Sequence, residues 1–195
     1  WALNIVVGWM IYDLTQSPLL TSLVIGLGCL PYLILSPIAG VIVDSLDKRT
    51  CILTAIMFQG IPIVALCAIV FTGQTHTWYI FAIVFIFGIA STILDSAIPP
   101  TIAEVIPKRH LVNAFALVEL AYNLTLLSVP IAVGVVLDMF GSGISLLVPI
   151  AFCLGSVISA YLIRLEDPTT IKPLSATPLI QLVEGIRYIR TEHHV

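Results

Sequence analysis

Two carboxylates in this 195-residue chain stand where an ionised group is expensive. Asp95 and Glu119 each fall within a long apolar run, where a charged side chain must face water, pair with a cation or take up a proton. Both are therefore candidates for a proton-binding or solute-binding site, and Glu119 is favoured for the proton because its helical face also carries Asn123, one turn beyond it, Pro130 and Gly134. Two carboxylates sharing such an environment without a cation hold a proton between them, through desolvation and like-charge repulsion. The plainer alternatives are an ion pair with Lys108 or Arg109 in the connection between the two runs and, for Glu119, ordinary packing with its carboxyl reaching the cytosolic interface.

A second group gathers in GVIVDSLDKRT, Gly40 to Thr50. It places Asp44, Asp47, Lys48 and Arg49 together in a chain that is 59% hydrophobic and only 10% charged, against about 25% charged in soluble domains. Gly40 and Asp44 are four residues apart and share a face at the end of a helix. A glycine there permits another helix to approach closely. Asp44, at a helix C-terminus where the dipole disfavours an anion, needs a donor, and Lys48 and Arg49 are near. Asp47 is placed to cap the following helix.

The elements that must position these residues are apolar segments of membrane-spanning character. Six are present: Trp1 to Leu14, Leu20 to Val43, Cys51 to Phe71, Trp78 to Ile98, Asn113 to Leu137 and Ser145 to Ile163. All are expected to be helices, since lipid leaves an open segment no other way to satisfy its backbone. The expected fold is an all-α membrane protein, a six-transmembrane-helix bundle over residues 1–163. The first segment is short: fourteen residues rise about 21 Å, against about 30 Å of hydrocarbon, so its beginning is expected upstream of Trp1. Residues 164–195 read as a cytosolic linker carrying an amphipathic helix, with Thr177 and Pro178 at its start and Leu179, Leu182, Val183 and Ile186 on one face.

Charge placement orients the bundle. The eight basic residues, Lys48, Arg49, Lys108, Arg109, Arg164, Lys172, Arg187 and Arg190, lie in the second and fourth connections and after the last span. By the positive-inside rule these regions are cytoplasmic and the first span runs outward.

Several function classes find no support. Cys29, Cys51, Cys67 and Cys153 lie in or beside apolar runs without a CxxC pair and read as small buried hydrophobes. His76, His110, His193 and His194 have no partner at metal-ligand spacing, so no metal or cofactor is expected. Nothing resembles a nucleophile and base, a phosphate loop or a basic patch with interleaved aromatics, so neither an enzyme nor a nucleic-acid binder is expected. Asn123-Leu124-Thr125 matches a glycosylation sequon but falls inside a span. Asp13, at the outer end of the first helix, suits an interfacial or capping role better than solute contact.

At Gly40, Asp44, Asp47, Lys48 and Arg49 the chain resembles the major facilitator superfamily, whose signature between its second and third helices runs G-x-L-x-D-x-x-[GD]-[RK]-[RK]. Ile42 stands for the leucine and Ser45 for a frequent arginine. YDLTQSPL (Tyr12 to Leu19), LSPIAG (Leu35 to Gly40), AEVIPKRHLVNAFAL (Ala103 to Leu117) and VEGIRYIR (Val183 to Arg190) look like the drug-exporting branch that includes macrolide-efflux and enterobactin-export proteins. The resemblance implies the amino-terminal half of a twelve-helix fold, with the carboxy-terminal half as its missing partner. It also implies a secondary transporter in the cell membrane, working by alternating access to expel a drug-like compound or siderophore, with protons as candidate exchange ions. In the family the Asp44 position contacts the opposite half and acts as a conformational latch. Two features depart from the pattern. The arginine often found early in helix four of proton-coupled members is absent from Trp78 to Ile98. The Gly-Pro of the fifth-helix antiporter signature is Val129-Pro130, and Gly134 is what remains of its later glycines. Pro130 and Gly134 would still permit bending and close packing. A metabolite importer, or a non-transporting receptor or assembly factor on the same fold, are the alternatives.

Overall fold

A computed structural model describes residues 1–45, 47–73 and 75–162, and of Asp44, Ser45, Lys48 and Arg49 the backbone alone. The described residues form α1 (Ala2–Thr15), α2 (Pro18–Ser45), α3 (Lys48–Phe71), α4 (Thr77–Val105), a 3-10 turn (Lys108–His110), α5 (Leu111–Ser145) and α6 (Leu147–Leu162), with no strand among them. The expected tail helix, with Thr177, Pro178 and its apolar face, lies outside the described residues.

Local chemistry sets the helix ends. α1 stops where Gln16 turns left-handed at φ 51° and its backbone N–H returns to the Tyr12 carbonyl. Asp13 is exposed one turn before that end, and the cap is made by Gln16. α2 restarts at Pro18, whose fixed φ suits a first helical position, with Ser17 Oγ accepting from the Leu20 N–H at 3.5 Å. At the start of α3, Asp47 Oδ2 accepts from the Thr50 N–H at 2.9 Å and from Thr50 Oγ1 at 2.6 Å. Asp47→Ala is expected to cost about 1 kcal/mol, read as a lower thermal midpoint in detergent, with Asp47→Ser retaining most of the stability.

Two boundaries differ clearly from the sequence expectation. α4 does not stop at Ile98 but runs through Pro99 and Pro100 to Val105. Each proline removes one backbone donor and leaves the carbonyl four residues earlier without its helical partner; neighbouring helices hold the segment helical nonetheless. The expected outer connection, Asp138 to Gly143, is itself helical apart from a break at Gly141, with φ 77° and ψ 177°. That left-handed φ favours glycine. The helix resumes at once, and Ser145 Oγ donates to the Gly141 carbonyl at 2.8 Å.

Among the described residues, four helices are long and apolar enough to cross a bilayer: Pro18–Val43, Thr50–Phe71, Thr77–Val105 and Lys108–Ser145. α1 and α6 are apolar but shorter. The sixteen residues of α6 rise about 24 Å; of the expected sixth span, Ser145 closes α5 and Leu146 is its C-cap.

α4 is the central element, packing most extensively on α2 and α3 and also meeting α1 and α5. The main core lies toward the end of the bundle where α1 stops and α4 starts, and contains Leu3, Val6 and Ile11 of α1, Leu66 of α3, Val84 of α4 and Val133 of α5. A small cluster of Val43, Cys51 and Ala97 closes the other end. Between them the first half of α5 is open: residues 115–125 are all exposed. Of the cysteines, Cys51 and Cys67 are buried and Cys153 is half-buried, but Cys29 is exposed, contrary to expectation, because the α2 face that meets α4 is the one carrying Val24 and Pro31.

Candidate functional site

The charged turn forms between α2 and α3, with Asp44 next to last in α2 and Lys48 first in α3. The side chains of Asp44, Lys48 and Arg49 lie outside the description. Asp47 is committed to Thr50, which makes it the capping residue of the turn. Gly40 is not used as a close-approach point within the described bundle: a Cβ built there meets nothing within 4 Å. Gly134 is equally open. Pro130, beside it in α5, is half-buried.

The glycines that do bring helices together are others. A Cβ at Gly88 of α4 would fall on the carbonyl oxygen of Gly28 in α2 and come within 3.1 Å of Pro31 Cγ. One at Gly28 would lie 3.0 Å from Val84 Cγ1, and one at Gly60 of α3 would lie 3.3 Å from Cys153 Sγ of α6. The sequence shows these glycines but not their partners, because a span that is apolar on every face carries no periodicity to say which face packs.

The two intramembrane carboxylates are not brought together. Asp95 is exposed on α4, and among the described residues it pairs with neither Lys108 nor Arg109. Glu119 lies in the open first half of α5, and Asn123 turns its amide back to the Glu119 backbone carbonyl at 2.8 Å. The indole of Trp1 donates to Tyr122 Oη at 3.3 Å and ties the start of α1 to α5. An interhelical hydrogen bond that sequence reading missed joins Gln59 Nε2 of α3 to Ser91 Oγ of α4 at 2.8 Å. Its signal was available, since Gln59 is an amide in an otherwise uncharged span. Among the described residues no group of three His, Cys, Asp or Glu is placed to hold a metal ion.

Apolar helices of spanning length, charge concentrated at the connections and isolated polar groups inside the bundle define a multi-pass helical membrane protein. The profile of the transmembrane secretion effector family matches residues 1–195, and the chain belongs to that family, within the major facilitator superfamily. It is also similar to the lysosomal dipeptide transporter MFSD1 of Gallus gallus, 28% identical over 113 residues, which are 55% of this chain and 23% of the relative. The chain thus aligns with about a quarter of that relative's length. No solved structure matches.

Proposed function

We propose that the chain is the amino-terminal, six-helix half of a twelve-helix secondary transporter that expels a small organic solute by alternating access. The observation that carries this reading is the secretion-effector family match over the whole of residues 1–195. A bundle whose polar groups are few and separate supports it, since two such halves rocking about a central cavity need little fixed chemistry. In this reading the protein lies in the cell membrane with its basic connections and tail in the cytoplasm. Gly40 and Asp44 serve as the latch against the carboxy-terminal half. Asp95, one helical turn from the interhelical Gln59–Ser91 pair, exchanges protons in place of Glu119, which the sequence favours but which lies on the open stretch of α5, and the solute is a drug-like compound or siderophore. The similarity to a dipeptide transporter favours a second reading, in which the cargo is a metabolite of dipeptide size.

The test is flux in inverted membrane vesicles holding the full-length protein, with and without an imposed proton gradient, using ethidium, a catecholate siderophore and a radiolabelled dipeptide. Gradient-dependent accumulation of one probe class is expected, and none with residues 1–195 alone. Equal accumulation by residues 1–195 alone would refute the half-transporter reading. Movement of the dipeptide alone would decide for the metabolite reading.

A further inference from the structure

Ser91 departs from the habit of the other hydroxyls in the middle of α4. Thr92 Oγ1 donates to the Gly88 carbonyl at 2.8 Å, Ser96 Oγ to the Thr92 carbonyl at 2.8 Å and Thr101 Oγ1 to the Ala97 carbonyl at 2.7 Å. Back-bonding to the preceding turn is the ordinary way for a helix interior to satisfy a hydroxyl. Ser91 instead turns its oxygen across the helix interface and accepts from Gln59 Nε2 at 2.8 Å, and among the described residues no carbonyl takes its hydrogen. The Ser91 hydroxyl therefore keeps a donor in reserve.

Asp95 stands four residues further along α4. Side chains on an α-helix lean toward its N-terminus, so residue i+4 lies over residue i and the Asp95 carboxylate is carried toward Ser91. Gln59 and Ser91 are both half-buried, whereas Asp95 is exposed on the same side of α4. The Gln59–Ser91 pair thus carries a polar link from α3 across the helix interface to within one helical turn of Asp95. Among the described residues Asp95 forms no ion pair. The titratable groups on the helices that meet α4 include Tyr32 of α2, Cys51 of α3 and Glu119 of α5.

We propose that Gln59 and Ser91 are positioning residues for Asp95: Gln59 holds the Ser91 oxygen so that the Ser91 hydroxyl donates to the Asp95 carboxylate whenever that group is ionised. The proton that neutralises Asp95 comes from water and returns to it. Ser91 stays protonated throughout and only rotates its hydrogen toward or away from the carboxylate. A donor to the anion stabilises it, so the pair sets the pH at which Asp95 changes state. Because Gln59 and Ser91 sit on different helices, sliding of α3 against α4 would withdraw the donor and release the carboxylate to protonation, coupling helix movement to proton uptake. This inference rests on the assignment of Asp95 as the proton-exchanging group, and its test separates the two.

The measurement is infrared difference titration of protonated-carboxyl bands in the full-length protein reconstituted in liposomes. The Asp95 band is the one lost in Asp95→Asn. Ser91→Ala and Gln59→Leu are each expected to let this band persist to a pH about one unit higher, while Ser91→Thr, which keeps the hydroxyl, leaves it in place. An unmoved midpoint in both Ser91→Ala and Gln59→Leu would overturn the relay, as would a shift in Ser91→Thr equal to that in Ser91→Ala. Absence of any band lost in Asp95→Asn would overturn the relay and the proton assignment together. Flux against pH on the same variants supplies the separation. Shifted bands with a pH dependence of flux untouched by Asp95→Asn would leave the relay standing and remove Asp95 from coupling.

Discussion

Gly88→Leu is expected to prevent the bundle from assembling, and Gly88→Ala to lower its thermal midpoint in detergent by roughly 5 °C or more. The site of the added Cβ is already taken by the backbone of Gly28, so even one methyl group must push α2 and α4 apart. A flexible side chain can yield, but a helix backbone yields only by moving the whole helix, and α2 with α4 is the most extensively packed pair in the fold. Buried Pro31, 3.1 Å from the same Cβ, closes the other direction of escape. Small residues at such crossings let dispersion act between backbones where the lipid provides no hydrophobic drive. Helix propensity works against the effect, since replacing a helical glycine by alanine gains about 1 kcal/mol, so a lowered midpoint reports overpacking alone. An unchanged midpoint in Gly88→Ala would mean that α2 and α4 do not cross at this pair.

Gly40→Leu is expected to do the reverse: to leave the amino-terminal bundle folded and yet reduce transport by the full-length protein at least tenfold. Nothing described within this chain lies within 4 Å of a Cβ at Gly40, so leucine meets no obstacle there, and helix propensity favours it by roughly 0.5–1 kcal/mol. Loss of transport with intact folding would place the obstacle on an element outside residues 1–195, as a latch against an opposing half requires. Asp44→Asn is the companion variant, since it keeps the shape of the turn and removes the charge that favours one of two conformations. A bias of about 1.4 kcal/mol between them changes their ratio about tenfold. The checks are the thermal midpoint of residues 1–195 and vesicle flux by the full-length protein. Normal flux in both variants would reduce the motif to a topology signal.

The two glycines illustrate how much was legible in advance. Gly40 sits in a motif of charged residues and was marked as a point of close approach, yet within the described chain its surroundings are open. Gly28 and Gly88 sit in apolar runs with no charge nearby and carry the tightest helix contact. The same division holds for the acids. The cost of Asp95 and Glu119 could be read from the apolar runs around them, but whether they pair needed the bundle, which leaves Asp95 exposed on α4 and Glu119 on the open stretch of α5. The fourth apolar segment reads as ending at Ile98, just before Pro99 and Pro100; α4 continues through both to Val105 because its surroundings hold it helical, a condition no local stretch records.

By itself the sequence determined that the chain is helical and membrane-embedded, how many apolar segments it has, and where its charges gather. It also determined that Asp47 begins a helix. These properties follow from hydropathy summed over about twenty residues and from capping chemistry within a single turn. Only the tertiary structure decided which glycines touch, that Gln59 reaches Ser91, that Trp1 reaches Tyr122, and that α5 bends at Gly141 rather than ending at Leu137. The physical reason is that a soluble helix shows its buried face as an apolar stripe, whereas these helices are apolar on nearly every face. Side-chain shape and backbone approach between distant segments then choose the contacts, and those are properties of pairs of helices, not of either sequence alone.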